Sequence, residues 1–240
     1  MIHLNCDLGE YPNEIKRDKM LLTLVDAVNI ACGGHAGDKN SARYWQSLAE
    51  DHNKAFHLHL SFPDRQNFGR TPMTLSPECL ASALDSQREA LPHCKAVKFH
   101  GALYTMSAVD QDLAKQLLNW CHNNSIDTVL APPNSAMETM AADYSITNDS
   151  IKVIKEGFAD RRYQLHKGQL RLTPRAEKDA LFSDPRDAIA QIKSVLDNKK
   201  IPTGSGDHDF SCDTWCIHSD SEGAIPLASA IRQHWRSNHR

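Results

Sequence analysis

Seven short apolar or alternating stretches recur along the chain, and most are followed by apolar positions at helical spacing. The strand-like stretches are Ile2–Leu8, Val28–Cys32, Lys54–Leu60, Lys95–Phe99, Thr128–Ala131, Ile151–Glu156 and Thr214–His218. The spacing predicts helices over Arg17–Ala27, from about Asn40 onward, and over Pro77–Leu91, Val109–Cys121, Ser135–Ala142, Pro185–Asn198 and Ser221–Trp235. In the first helix Met20, Leu21, Leu24 and Val25 share the apolar face. Asn40 or Ser41 can cap the second, Ser76 stands before Pro77, and Asp184 stands before Pro185. The stretch from Arg161 to Phe182 has no clean period and predicts a long excursion with a short hairpin.

Strand and helix in alternation predict an α/β fold. A seven-stranded (β/α) TIM-like barrel over residues 1–240, as one domain, competes with a doubly wound open sheet. The polar residues favour the barrel. Runs rich in His, Asp, Glu, Asn and Gly follow the strands one after another, as strand-to-helix loops sharing one rim require, whereas an open sheet gathers such residues at its switch point. No Gly-x-Gly-x-x-Gly or Walker-type loop follows any strand, so ATP or NAD binding through those loops is excluded.

Composition narrows the class further. With 240 residues, 40% hydrophobic and 24% charged, the chain can bury a sizeable core. A formal net charge of -3 gives no global attraction to nucleic acid or to an anionic membrane. The start of the chain has neither the basic flank nor the apolar stretch of a signal peptide, and seven cysteines without regular spacing make no disulfide framework. Cys6, Cys32, Cys94 and Cys216 fall in apolar strand surroundings and read as buried thiols, which points to a reducing cytoplasm.

The candidate chemistry sits at the strand ends. Asp7 and Glu10, separated by Gly9, can bind a hard cation or divide acid and base duties. His35 projects from Gly33-Gly34-His35-Ala36-Gly37, and Asp38 either orients its ring or caps the next helix. His57 and His59 share one strand face; His59, nearer the strand end, is the ligand or base candidate and His57 the structural one. Lys98 and His100 also share a face, and a lysine pointing into a barrel needs a carboxylate or a bound anion. Arg161, beside Asp160, offers a planar fork to an anion, and His218 with Asp220 forms a His-x-Asp pair able to act as an oriented base. A metal site from Asp7 and His35 with His59 or His100 stays open beside a metal-free one.

Six motifs in order resemble the LamB/YcsF family nearly end to end. They are Asn5-x-Asp7-x-Gly9-Glu10, the run Asn29–Asp38, Lys98-x-His100-Gly-Ala-Leu-Tyr104, Phe158-Ala-Asp160-Arg161-x-Tyr163, Gly168-x-Leu170 with Arg175, and Cys216-x-His218-x-Asp220. The resemblance implies a seven-stranded barrel related to polysaccharide deacetylases. It also implies opening of the 5-oxoproline lactam to L-glutamate, as the A subunit of an ATP-dependent 5-oxoprolinase. ATP would be used by the complex with subunits B and C; a divalent metal and homo-oligomer formation stay open. It further implies that Asp7, His35, His59, His100 and His218 carry the chemistry, while Asn5, Glu10, Asn29, Lys98, Tyr104, Asp160, Arg161 and Asp220 line the substrate site. Leu60, Phe99 and Ser219 stand where the family has two prolines and a glycine, which marks a divergent branch with the reactive side chains kept.

Overall fold

A computed structural model describes residues 2–144, 150–221 and 223–237. Six parallel strands run in from the N-terminal side: β1 (Leu4–Leu8), β2 (Ala27–Ala31), β3 (Ala55–Leu60), β4 (Ala96–Phe99), β5 (Thr128–Ala131) and β6 (Lys152–Phe158). An added sheet follows, with β7 (Tyr163–His166), β8 (Gln169–Leu172), β9 (Lys200–Thr203) and β10 (Gly206–Asp209). Then β11 (Thr214–Ile217) enters between β1 and β6 and closes the barrel in the order β1-β11-β6-β5-β4-β3-β2. The open-sheet alternative falls, because β1 is paired on both sides, with β2 and with β11.

Helices cover the outside: α1 (Ile15–Leu24), α2 (Lys39–Asp51), α3 (Pro77–Arg88), α4 (Gly101–Ser107), α5 (Gln111–Asn123), α6 (Ala136–Tyr144), α7 (Pro185–Asn198) and α8 (Ala224–Ser237). Outward strand residues such as Leu4, Val28, Leu58, Val97, Val129 and Trp215 join Leu21, Trp45, Leu84, Leu117, Ile192 and Ile231 from the helices in one core. Barrel interiors usually fill with branched apolar side chains. Here the inward positions of the same strands carry Asn5, Asp7, Asn29, His57, His59, Lys98, Glu156 and Thr214, all buried. Period-two alternation was therefore apolar against helices and polar into the barrel, not core against solvent.

Several expectations need correction. Asp38, not Asn40 or Ser41, caps α2, in a capping box with Ser41. Met20 is exposed, whereas Asp18, Leu21 and Leu22 are buried, so the inner face of α1 lies one position round from the expected one. The run after β4 is not a loop: α4 begins at Gly101, and the next helix starts only at Gln111, capped by Asp110. The hairpin in the excursion forms as β7 and β8, but β9 and β10 were not anticipated. Of the β9 and β10 side chains only Ile201 is buried, which leaves no hydrophobic period to read. Residue 222, within the last expected helix, lies outside the described residues. Ser76 and Asp184 cap as expected.

Asp18 faces inward because its Oδ2 accepts the Gly9 amide at 3.1 Å, fixing the turn that carries Glu10. Gly9 is obligatory there: φ is +77°, and an added Cβ would meet the Trp45 ring at 2.7 Å. Burial pushes the Asp18 carboxyl up to about 6, against the Gly9 amide and Arg17. A folded-state pKa above the unfolded one means the folded chain holds the extra proton. The associated stability is full below about pH 4 and lost as pH rises through about 6. Asp18→Asn is expected to raise stability at pH 8 by up to about 3 kcal/mol, with little gain at pH 4. Thermal melts of both proteins at the two pH values test this, and an equal shift at both would refute it.

Candidate active site

The barrel floor is a chain of buried polar side chains. Asn5 donates to Thr214 Oγ1 at 3.0 Å, and Asn29 Nδ2 donates to both Asn5 Oδ1 and Asp7 Oδ1 at 2.8 Å. The amide orientation thus left presents Asn29 Oδ1 to His57 Nδ1, 2.7 Å away, so His57 is the structural histidine expected. Burial lowers its pKa to about 3, and Lys98 adds to the effect.

Above this floor the Lys98 ammonium lies 2.9 Å from Asp7 Oδ1 and 3.1 Å from Glu156 Oε1. Tyr104 donates its hydroxyl to Glu156 Oε2 at 2.9 Å. Burial opposes the charge on both partners of the Asp7–Lys98 pair. For Asp7 the charges of His59 and Lys98 outweigh it and hold the carboxyl well below its usual range. For Lys98, Asp7 leads the groups that hold the ammonium well above its own. The carboxylate that Lys98 required is therefore Asp7, with Glu156 as a second. Glu156 was missed; its only signal was a lone acid at the end of a strand, on the face shared with Thr214.

Next to Asp7 stand Glu10, His35, His59 and His100, each with a ligand atom within 4.8 Å of the others. Glu10 Oε1 lies 3.0 Å from His35 Nε2, 3.3 Å from His100 Nδ1 and 3.5 Å from His59 Nε2. The candidate metal set is corrected accordingly: Glu10 takes the place given to Asp7, whose Oδ1 is engaged by Lys98. Asp38 caps α2 and does not orient His35.

Carbonyl oxygens fix two of the rings. A carbonyl can only accept, so His59 Nδ1 donates to the Lys98 carbonyl at 3.1 Å and His100 Nε2 donates to the Phe68 carbonyl at 3.0 Å. The remaining nitrogens, His59 Nε2 and His100 Nδ1, face each other at 3.0 Å. Two lone pairs cannot share that gap; a proton or a cation must stand between them. Burial favours neutral His59, but Asp7 and Glu10 raise its pKa to about 9. His35 and His100 shift the other way, chiefly through burial. A proton on His59 thus satisfies the cluster. A divalent cation fits as well. Ligand spacings of 3.0–3.5 Å approach the edge of about 3.3 Å set by metal bonds of about 2.0–2.1 Å. Two backbone carbonyls already orient the rings, and His35 Nδ1 is a buried atom without a hydrogen-bond partner.

The third group forms the mouth. His218 and Asp220 do not work as a pair. His218 Nδ1 lies 3.0 Å from Asp160 Oδ2 and its ring stacks on Phe158, while Asp220 turns to Arg175 and Arg70. Arg161 is buried rather than solvated, with Nη2 on the Thr173 carbonyl. A cavity of about 280 Å³ is lined together by Asp7, Glu10, His59, Lys98, His100, Tyr104, Arg161, His218 and Asp220. Asn5, Asn29 and His35 lie behind this wall, and Asp160 reaches it through His218. Arg70 and Arg175 were not among the expected site residues; Arg70, in the loop after β3, carried no motif signal.

A closed seven-stranded (β/α) barrel with acids, imidazoles and arginines gathered at one mouth defines the class of protein. The crystal structure of the Lactam Utilization Protein from Thermus thermophilus has the same fold: TM-score 0.81 and 28% identity, covering 99% of this chain and 96% of that one. The chain belongs to the LamB/YcsF family, whose model matches residues 2–240. The 5-oxoprolinase A subunit of Staphylococcus carnosus (strain TM300) is 34% identical to it, covering 97% of this chain and 94% of the relative. That of Bordetella pertussis (strain Tohama I) is 35% identical, covering 96% and 93%. Among the described residues no helix is long and apolar enough to cross a membrane.

Proposed function

We propose that this chain is the ring-opening subunit of an ATP-dependent 5-oxoprolinase, converting 5-oxo-L-proline to L-glutamate together with partner subunits. The observation that carries the reading is the shared cavity, which puts an oriented imidazole, a buried ion pair and arginines around a space suited to a small acid. The names of the relatives supply the substrate class. They also describe one subunit among several, which supplies the partners, taken as subunits B and C. ATP belongs to the complex, since no nucleotide loop of either type occurs in this sequence.

The roles proposed here draw their support from the geometry. His218, held by Asp160 through Nδ1, presents Nε2 to the cavity and takes the proton of the attacking water. Asp7 Oδ2, free of the Lys98 bond, holds that water. The Lys98 ammonium and the His59 imidazolium offset negative charge growing on the lactam oxygen, and His59 with Glu10 returns a proton to the departing nitrogen.

A second reading is favoured by one specific feature, the Glu10–His35–His59–His100 cluster. These four would hold a divalent cation, which supplies Lewis-acid polarisation of an amide carbonyl in a stand-alone amidohydrolase. One assay separates the two readings. Glutamate release from 5-oxoproline is measured for the chain alone and with subunits B and C of its host, with and without ATP, before and after chelation. Release that needs ATP and partners, and survives prior chelation of the chain once Mg²⁺ is supplied again for the ATP, supports the first reading. Release by the chain alone, lost to chelator and restored by one cation, supports the second. No glutamate under any condition would overturn both for this substrate.

A further inference from the structure

The charges at the mouth do not balance. Lys98 is answered by Asp7 and Glu156, while Arg70 and Arg175 share the single carboxylate of Asp220. Arg161 is only 6% exposed, yet among the described residues it has no ion-pair partner. Its Nη2 meets a neutral carbonyl, that of Thr173, and its Nε is buried without a hydrogen bond. The adjacent acid, Asp160, is hydrogen-bonded to His218 and, like Asp220, acts on Arg161 only through space. A guanidinium this deep is costly unless an anion comes to it. The form of that anion can be read next door. Arg175 grips Asp220 with two parallel bonds, Nη1 to Oδ2 at 2.7 Å and Nη2 to Oδ1 at 3.1 Å, and Arg70 adds a third at 3.1 Å. Planar forks held in that way are pre-set for a second carboxylate.

We infer that Arg161 and Arg175 form the seat for the carboxylate of the cyclic-amide substrate, with Asp220 and Arg70 as positioning residues that hold Arg175 in place. The inference rests on the function proposed above and deepens it. The lactam carbonyl then points down to Lys98 and His59, and the carboxylate, on the far side of the ring nitrogen, points out to the arginines. The seat makes an acidic group on the ring a condition of binding. Simple neutral lactams are rejected, because they leave Arg161 buried and unanswered.

Binding to the purified chain, without ATP or partners, tests this apart from turnover. L-5-oxoproline, its carboxamide, 2-pyrrolidinone and inorganic phosphate are titrated calorimetrically into the wild type, Arg161→Gln and Arg175→Gln. The carboxamide and 2-pyrrolidinone are expected to bind at least about 10-fold more weakly than the acid, and either variant should erase the difference while its melting temperature stays near that of the wild type. Should Arg161→Gln fail to fold, Arg175→Gln and the ligand series on the wild type still decide. Equal binding of acid and carboxamide, or discrimination kept in a folded variant, overturns the seat. So does phosphate displacing 5-oxoproline when the carboxamide binds as well as the acid, which would make it a phosphoryl site, and so does no binding of any ligand. Discrimination intact with no glutamate release would keep the seat and sink the ring-opening function.

Discussion

Replacing Asp7 by asparagine is expected to lower the turnover of the assembled enzyme by about 10³-fold or more, the range of losing a positioned acid–base or charge-stabilising group. The substitution keeps shape and keeps an oxygen for Asn29 and Lys98. It removes the negative charge that sustains both the Lys98 ammonium and the His59 imidazolium. In place of Oδ2, which lies 3.5 Å from His59 Nε2, it puts an amide NH2 that can only donate and no longer holds water as an anion does. The fold should survive, because Lys98 still has Glu156 at 3.1 Å. Steady-state kinetics beside a thermal melt check the claim. A folded variant within 10-fold of the wild-type rate would remove Asp7 from the chemistry.

Lys98→Met should instead strike stability. The ammonium stands between two buried carboxylates, Asp7 and Glu156, which are 5% and 0% exposed. Its removal leaves them facing each other in a medium that screens poorly, a loss of about 3–5 kcal/mol for a broken buried pair. For a chain of this length that amounts to a fall of roughly 10 °C in melting temperature. The double variant Lys98→Met/Glu156→Gln should recover part of the loss, since Asp7 then no longer faces the carboxylate of residue 156. If Lys98→Met melts with the wild type, the ammonium is not what makes the barrel interior tolerable.

The barrel was legible because each strand announced itself twice, by apolar residues for the helix side and by a polar run at its end. Which side chains share a face was legible as well: His57 and His59, or Lys98 and His100, can only point the same way. Partnerships were harder. Nothing in the chain links His218 to Asp160 rather than to Asp220 two residues away; the choice depends on how β6 and β11 are aligned side by side. Glu10 rather than Asp7 entered the imidazole cluster because the Gly9 turn swings it there, and Asp18 on α1 fixes that turn. Glu156 and Arg70 were hidden because an isolated acid or arginine looks the same in sequence whether it is solvated or buried in a site. The small sheet gave least, since β9 and β10 are held by backbone pairing with hardly any buried side chain.

The late entry of β11 bears on how the molecule is made. On the ribosome β1 to β6 emerge first, followed by β7 to β10, and throughout that interval β1 and β6 each present a bare edge of unpaired backbone groups. Only when Ile217 has left the exit tunnel can the gap be filled, and α8 then latches the seam, with Arg232 donating to the Leu24 carbonyl and to Asp26. Closure is thus a late event joining strands far apart in the sequence, a slow kind of step that leaves the nascent chain open to aggregation. The polar interior sharpens the hazard: until the seventh strand arrives, Asn5 lacks Thr214 and Glu156 has no neighbour on its β11 side. Synthesis of this protein should therefore lean on chaperones more heavily than its size alone suggests.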